Sequence, residues 1–426
     1  MIQRYGEKRE KGLTRAMKLR GPLAALLVIV GVLALAPSAK AAERRGTRDV
    51  LVVSNNWAGS ADLVDPHTFK RLKRVNVIPD RAKRVAEIEA DPTAKFYFDG
   101  IRELVGEGHN QYVDDGFTSP DGRYVYFSRP SFADVVAISL RTGKIRWRTK
   151  IEGYRADHMA ISKNGRRLLV SASTANVIDV IATRTGRIVG RIPSGDSPHE
   201  NNFSRDGSRI FHASIGLVYT DTDDPSQDST KGERVFEVID ARTLKVLKRV
   251  DMGQKLAEAG YPDMSSAVRP MAITPDERYV YFQVSFFFGI VQYDLKADRV
   301  VKVLRLPLGA AEGLPRTEFL LDSAHHGLAM NPKGTKLCVA GTMSRYAAIV
   351  TRKPLKLERT IPVGRDPYWA HSSENGKYCF VSVAGEDRVS VISFKTAREV
   401  ESIKVGDHPQ RMRTGVIRRA YVPQGR

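Results

Sequence analysis

The sequence predicts an all-β fold: a seven-bladed β-propeller closed by a C-terminal inner strand that joins an N-terminal blade. One unit recurs along the chain, with an apolar strand, a Ser-x-Asp/Asn-Gly turn, a second apolar strand, a third strand and a basic fourth strand. The turn glycines Gly122, Gly165 and Gly207 stand 43 and 42 residues apart. A period near forty residues with four strands per unit is typical of propeller blades.

Six complete repeats and one divided repeat lead to the count of seven blades. The complete repeats begin at Phe117, Ala160, Asn202, Ala272, Ala329 and His371. Residues 49–77 supply three strands without an inner strand, and residues 406–417 supply an inner strand without partners. Joining the two segments closes the ring and removes the exposed edge of an open sheet. We therefore expect the propeller to span residues 48–420.

An insertion separates the first blade from the second. Residues 76–110 lack the strand pattern and contain helix-forming stretches. We expect a helical insertion there, with its helices near residues 80–105.

The first 41 residues have the order of a secretory signal peptide. Seven Lys and Arg residues precede an apolar run that ends at Ala39-Lys40-Ala41, a small-residue cleavage site. We expect cleavage and export, to an extracellular, periplasmic or cell-wall location. An uncleaved N-terminal membrane anchor is the alternative, although residues 21–36 are short for a span of about 20 apolar residues.

The chain carries a net charge of +20, and its basic residues concentrate in the predicted outer strands. A solvated edge that discourages pairing between molecules explains this pattern. Docking to an anionic cell-envelope surface through this basic rim is the functional alternative. We expect no specific nucleic-acid recognition, and we expect a monomer.

The only two cysteines, Cys338 and Cys379, fall in equivalent strands of successive repeats. A disulfide between adjacent blades is geometrically conceivable. Free cysteines also behave as small buried hydrophobic residues, and that is the expectation from the sequence.

The repeats resemble the YVTN-type seven-bladed β-propeller family, which occurs in many exported bacterial proteins. The resemblance rests on "SPDGRYVYFS", "LLVSASTANVIDVIATRTGRIVGRIPSGDSP" and "VGRDPYWAHSSENGKYCFVSVAGEDRVSVISFKTAREVESIKVGDHP". It covers nearly all of the chain after the predicted signal. The resemblance implies the fold and one mouth that is presented to a ligand or partner. It does not imply one activity, because such folds host unrelated functions.

Polar and aromatic residues gather at one predicted end of the ring. Six of the nine histidines lie just before or at the start of an inner strand, where the preceding loops share one mouth with the loops between second and third strands. Concave sites with convergent polar groups are the default binding-site hypothesis. The candidate ligand-binding residues are Trp57, His158, His199, Glu200, Asn201, Arg269, His326, Trp369, His371, His408 and Arg411.

Three functions remain open for this His-rich funnel. The leading expectation is non-catalytic binding of a small molecule or a protein. A second is a lactonase-like hydrolase, since "PHENNFSRDG" and "HHGLAMNPKG" look similar to inner strands of seven-bladed lactonases. His199 or His326 would then act as base, with Glu200 and Arg269 near the substrate. A third is a copper or zinc ion ligated by histidines.

Overall fold

The computed structural model describes residues 46–218 and 225–422. Within them the chain forms seven four-stranded antiparallel sheets, as expected for seven propeller blades. The predicted signal peptide, residues 1–41, lies outside the described residues. None of the helices in the described ranges is long and apolar enough to cross a membrane.

Each blade takes four consecutive strands, except the first, which takes its inner strand from the C-terminus. In chain order the strands are β1 Thr47–Asn55, β2 Ser60–Val64, β3 Arg71–Asn76, β4 Gly116–Thr118, β5 Tyr124–Arg129, β6 Asp134–Ser139, β7 Ile145–Lys150, β8 Ala156–Ile161, β9 Arg167–Ala172, β10 Val177–Ala182, β11 Ile188–Pro193, β12 Pro198–Phe203, β13 Arg209–Ser214, β14 Phe236–Asp240, β15 Val246–Val250, β16 Val268–Ile273, β17 Tyr279–Val284, β18 Gly289–Asp294, β19 Arg299–Arg305, β20 Gly327–Met330, β21 Lys336–Gly341, β22 Tyr346–Arg352, β23 Leu355–Pro362, β24 Pro367–Ser372, β25 Tyr378–Val383, β26 Arg388–Ser393, β27 Arg398–Lys404 and β28 Pro409–Arg418.

The repeated serine and glycine turn joins the first two strands of a blade. Between β4 and β5, the Ser119 hydroxyl donates to Asp121 at 2.7 Å and accepts from the Tyr124 amide at 3.0 Å. Gly122 adopts a φ of 65°, in the left-handed region that favours glycine. The serine therefore satisfies a backbone donor that the tight turn would otherwise leave unpaired. Its counterparts in other blades are Ser162, Ser204 and Ser373.

Ring closure joins the two ends of the propeller. Strand β28 pairs antiparallel with β1, so that Met412 lies opposite Val53. The inner strands contact one another in the cyclic order β28, β4, β8, β12, β16, β20 and β24, which returns to β28. This confirms the predicted closure by a C-terminal inner strand.

Apolar side chains fill the spaces between neighbouring blades. Leu51, Val53 and Met412 of the first blade pack with Trp369 and Phe380 of the last. Apolar side chains buried between sheets are the main favourable contribution to folding.

A disulfide joins Cys338 on β21 to Cys379 on β25, with the two Cα atoms 6.5 Å apart. The expectation of two separate buried thiols was therefore wrong. The reason is positional: equivalent strands of adjacent blades face each other, and this distance lies in the usual range for bridged cysteines.

The insertion contains two helices, α1 Arg81–Glu89 and α2 Pro92–Leu104, between β3 and β4. The Asp91 carboxylate caps α2 by accepting from the amides of Thr93 and Ala94 at 3.0 and 3.1 Å. Tyr97 of α2 stacks on Tyr154 with ring centroids 4.3 Å apart, which holds the helix against the ring. A short helix, α3 Met252–Glu258, precedes β16.

Candidate functional site

A cavity of about 470 Å³, which we call the mouth cavity, lies where the starts of several inner strands meet helix α2. One wall is polar and comes from the starts of inner strands. The other wall is apolar and comes from α2 and from two loops. The polar wall includes Asp114, Arg155, Asp157, His199, Arg269, His326, Tyr368 and Arg411, and the apolar wall includes Phe96, Ile101, Leu104, Ile215, Leu217 and Leu321.

Register shifts at the inner strands explain how the polar residues converge. In β8 the shift lies between Ala156 and Met159, in β12 it lies between Pro198 and Glu200, and in β16 it lies between Val268 and Met271. The residues inside these irregularities are Asp157, His158, His199, Arg269 and Pro270. A β-bulge re-aims a side chain that would otherwise follow the strand alternation.

The same device recurs in the last two inner strands. Tyr368 lies within the register shift of β24, and Gln410 and Arg411 lie within that of β28. Unequal sequence offsets therefore do not separate His158 from His199, because β8 and β12 each change register at these residues.

Three imidazoles, which we call the imidazole cluster, meet at the polar wall of the mouth cavity: His158, His199 and His326. The ring centroid of His199 lies 3.8 Å from that of His158 and 5.6 Å from that of His326. Trp369 closes one side, with its ring centroid 5.6 Å from that of His158. Each of the three histidines is at least 96% buried.

The surroundings of these imidazoles favour the neutral form of the ring. Burial lowers the pKa of His158, His199 and His326 well below the usual value, because a protonated ring would lose its hydration. The positive charge of Arg411 acts in the same direction on all three. Neutral imidazole is the form that accepts a hydrogen bond or ligates a metal.

Two carboxylates approach His158. Glu200 Oε2 lies 2.9 Å from His158 Nδ1, and Asp157 Oδ1 lies 3.7 Å from His158 Nε2. Burial raises the pKa of Glu200 to about 7, against the charge of Arg413 and a hydrogen bond from Asn202. The carboxylate–imidazole pair in the structure is therefore Glu200 with His158, and not Glu200 with His199.

Arg411 and Arg269 place positive charge on the polar wall. Arg411 forms an ion pair with Asp114, and its guanidinium carbon lies 5.0 Å from the Trp369 ring centroid. Arg269 is 1% exposed, donates to Ser285 Oγ at 3.0 Å and also donates to the carbonyl of Leu321. Within the described ranges no carboxylate lies within 4.0 Å of the Arg269 guanidinium.

Some residues of the candidate set lie apart from the imidazole cluster. Asn201 donates to Ser171 Oγ at 2.7 Å, so its amide holds two blades together. His371 accepts from the Thr414 amide at 3.1 Å, next to the closing strand. Both side chains have backbone or structural partners.

Trp57 and His408 belong to a separate aromatic stack. The Trp57 ring lies between His109 and His408, with centroids 3.8 and 3.7 Å away and nearly parallel planes. The stack ties the end of the helical insertion to the first blade. Tyr368, which lines the mouth cavity, lies near this stack, with its ring centroid 6.4 Å from that of His408.

Sequence reasoning missed Arg155, Asp157 and the apolar wall. Asp157 directly precedes His158 at the start of an inner strand, so the sequence could have indicated that Asp157 belongs to the candidate site. The apolar wall had no such signal, because α2 comes from an insertion whose docking position the repeat does not specify.

Comparison with known proteins bears on the fold. No protein-family model matches the chain, and no curated protein matches its sequence. Among solved structures, the chain is similar to hydrazine synthase of Kuenenia stuttgartiensis, with a TM-score of 0.57 and 19% identity, over 81% of this chain and 92% of that chain. Likeness at this identity concerns the fold alone. The chain is a seven-bladed β-propeller, and because a fold does not imply a function, its function has to be argued from its own site.

Proposed function

We propose that the protein is an exported propeller of the YVTN-repeat type that binds a small organic anion with an apolar body in the mouth cavity. The observation that carries this proposal is Arg269. Its guanidinium is buried on the cavity wall without a carboxylate partner among the described residues. A buried cation without a counter-ion is costly, and an anionic ligand would remove that cost.

The charge on Arg269 supports the choice of an anion. Burial lowers its pKa to about 10, against the charge of Asp322, so the guanidinium remains protonated at physiological pH. Two of its nitrogens already donate to Ser285 and Leu321, which fixes the orientation of the planar fork. A guanidinium held in this way suits the two oxygens of a carboxylate.

The apolar wall supports an apolar ligand body. Phe96 and Leu104 line the cavity yet are 72% and 53% exposed. The cavity volume of about 470 Å³ is in the usual range for small-molecule sites. A carboxylic acid with an alkyl or aryl body would bind Arg269 through its carboxylate, and its apolar body would cover Phe96 and Leu104.

Two observations support export. The basic and apolar order of residues 1–41 is that of a signal peptide. The disulfide between Cys338 and Cys379 is of the kind that persists in oxidising compartments outside the cytosol.

The test is a fluorescence titration of the full chain with 8-anilinonaphthalene-1-sulfonate, an aromatic anion, followed by displacement. Medium-chain fatty acids and aryl carboxylates should displace the probe, and the corresponding alcohols should compete far more weakly. Arg269→Met should weaken carboxylate binding about 10- to 100-fold, the range for a hydrogen bond to a charged group.

The matched control is Arg141→Met, since Arg141 is an exposed arginine in a turn between outer strands. It should bind the probe like the unmodified protein. Equal competition by acids and alcohols, or unchanged carboxylate binding by Arg269→Met, would contradict the proposal.

A further inference from the structure

Three donor groups lie together at the base of the mouth cavity. One carboxylate oxygen of Asp157 and one ring nitrogen each of His158 and His199 lie within 4.8 Å of one another. All three residues are buried. Two imidazoles and one carboxylate form a donor set that is typical of zinc and of non-haem iron(II).

Outer contacts orient two of these three groups. The Nδ1 atom of His158 pairs with Glu200 at 2.9 Å, which leaves its Nε2 atom for a second partner. Asp157 uses Oδ2 in its ion pair with Arg155, whereas Oδ1 faces His158 Nε2 at 3.7 Å. A ligating histidine usually shares its other ring nitrogen with a carboxylate in this way, and such contacts fix the ligand orientation.

Each of the two imidazoles also has a buried ring nitrogen without a partner. His158 Nε2 and His199 Nδ1 are buried and have no hydrogen-bond partner within the described part of the chain. A buried polar atom without a partner carries a desolvation cost of about 1–3 kcal/mol. A bound cation would supply the partner that His158 Nε2 lacks, since Nδ1 of the same ring already pairs with Glu200.

We propose that Asp157, His158 and His199 form a binding site for one divalent first-row transition metal ion, with Glu200 as the positioning residue of His158. Asp157 and His199 also line the mouth cavity, so the ion would face it with open coordination positions. His326 lies beside the site, 5.6 Å from His199 between ring centroids, and is not one of the three ligands.

The metal site goes beyond the proposed organic-anion function and does not depend on it. Arg269 is not among the three donors, so loss of anion binding in Arg269→Met would leave metal binding intact. Conversely, a chain that binds carboxylates and takes up no metal would contradict only the present proposal.

The experiment uses the full chain purified without a polyhistidine tag and stripped with chelator. Zinc titration followed by calorimetry should show one site per chain. Cobalt(II) should give visible d–d absorption of a low-symmetry site with nitrogen and oxygen ligands. His158→Ala and His199→Ala should each lose stoichiometric binding, whereas Glu200→Gln should weaken binding about 10- to 100-fold.

The control is His67→Ala, which removes an exposed histidine paired with Asp49 and should leave metal binding unchanged. Asp157→Asn keeps the shape of the site, and circular dichroism would verify that each variant is folded. If the histidine variants fail to fold, a folded Asp157→Asn decides the matter by its loss of zinc affinity. Absence of a stoichiometric site in the unmodified chain, or full binding by folded Asp157→Asn and His199→Ala, would overturn the proposal.

Discussion

Arg413 donates to both carboxylate oxygens of Asp115, at 2.9 and 2.7 Å, although 298 positions separate them in the sequence. Arg413 lies on the closing strand β28, and Asp115 immediately precedes the inner strand of the next blade. Both side chains are largely buried, at 13% and 0% exposure. The pair therefore bridges the junction where the C-terminal strand meets the second blade.

We predict that removing either partner of this bridge destabilises the ring. Arg413→Met or Asp115→Asn should lower the free energy of unfolding by about 3–5 kcal/mol, because each leaves a buried polar partner uncompensated. Denaturant unfolding measures this change. Lys95→Met, which breaks the exposed pair with Asp99 on α2, should cost about 0.5 kcal/mol. Equal effects of the buried and exposed changes would show that the bridge does not hold the junction.

We predict that the disulfide stabilises the last two blades. The bridge closes a loop with a sequence separation of 41, for which the chain-entropy relation gives about 4 kcal/mol. Cys338→Ala combined with Cys379→Ala should lower the unfolding midpoint, and reductant should then have no further effect. Thiol titration of the denatured, non-reduced protein should find no free thiol. Two titratable thiols per chain would refute the pairing.

We predict that carboxylate binding tightens as the pH falls from 8 to 6. Burial raises the pKa of Asp114 to about 7, opposed by Arg411 and reinforced by Asp157 and Asp115, with Arg155 also nearby. Protonation removes a negative charge from the cavity wall, so an anion meets less repulsion. The imidazole cluster is not the expected cause of this change, because burial lowers the pKa values of His158, His199 and His326 well below their usual value.

The expected gain is about tenfold, or about 1.4 kcal/mol, which is the order of the interaction between two unit charges near a protein surface. Affinity measured at several pH values for Asp114→Asn provides the comparison. In this variant the carboxylate affinity should lose most of its pH dependence. The remaining dependence is expected from Glu200, because burial raises the pKa of Glu200 to about 7 as well. If the unmodified protein and Asp114→Asn show the same pH profile of affinity, Asp114 does not cause the pH dependence.

We predict that the apolar wall contributes to affinity and not to folding. Phe96→Ala and Leu104→Ala should each weaken binding of a medium-chain fatty acid about fivefold, because each removes about 1 kcal/mol of apolar contact. Both residues are exposed in the structure, so the unfolding midpoint should hardly change. Leu247→Ala, at a similarly exposed leucine on β15, is the matched control. If the binding affinity changes only in Leu247→Ala, or does not change in Phe96→Ala and Leu104→Ala, the ligand does not bind against the apolar wall.

The sequence predicted the fold because the blade is a local unit with a repeated turn. Ser119 and Gly122 perform the same task as their counterparts in other blades, so the turn recurs at a readable interval. Ring closure followed from counting strands, since residues 406–417 had no partner except residues 49–55.

The candidate site was less predictable because it depends on register. Asp157, His199 and Arg269 share the mouth cavity only because β8, β12 and β16 change register at these positions. The residue types at these positions do not predict a change of strand register. The position of α2 against the ring could not be predicted from the sequence either, because Tyr97 and Tyr154 are 57 positions apart and belong to no repeat.

The basic outer strands show a similar limit. Arg74, Arg191 and Arg249 each pair with a buried carboxylate on the preceding strand, namely Asp62, Asp179 and Glu237. From the sequence alone, these arginines contribute to a positively charged rim. In the structure, part of this positive charge is neutralised by carboxylates of the same blade. An anionic-surface role for the rim remains a prediction, and salt-dependent retention on cell-wall material would measure it.

A structure of the full chain with a bound aryl or alkyl carboxylate tests the central claim most directly. We predict ligand density in the mouth cavity, with the carboxylate within hydrogen-bond distance of Arg269 and the apolar body against Phe96 and Leu104. Density on the outer strands, or a ligand in the cavity with its carboxylate directed away from Arg269, would contradict the account.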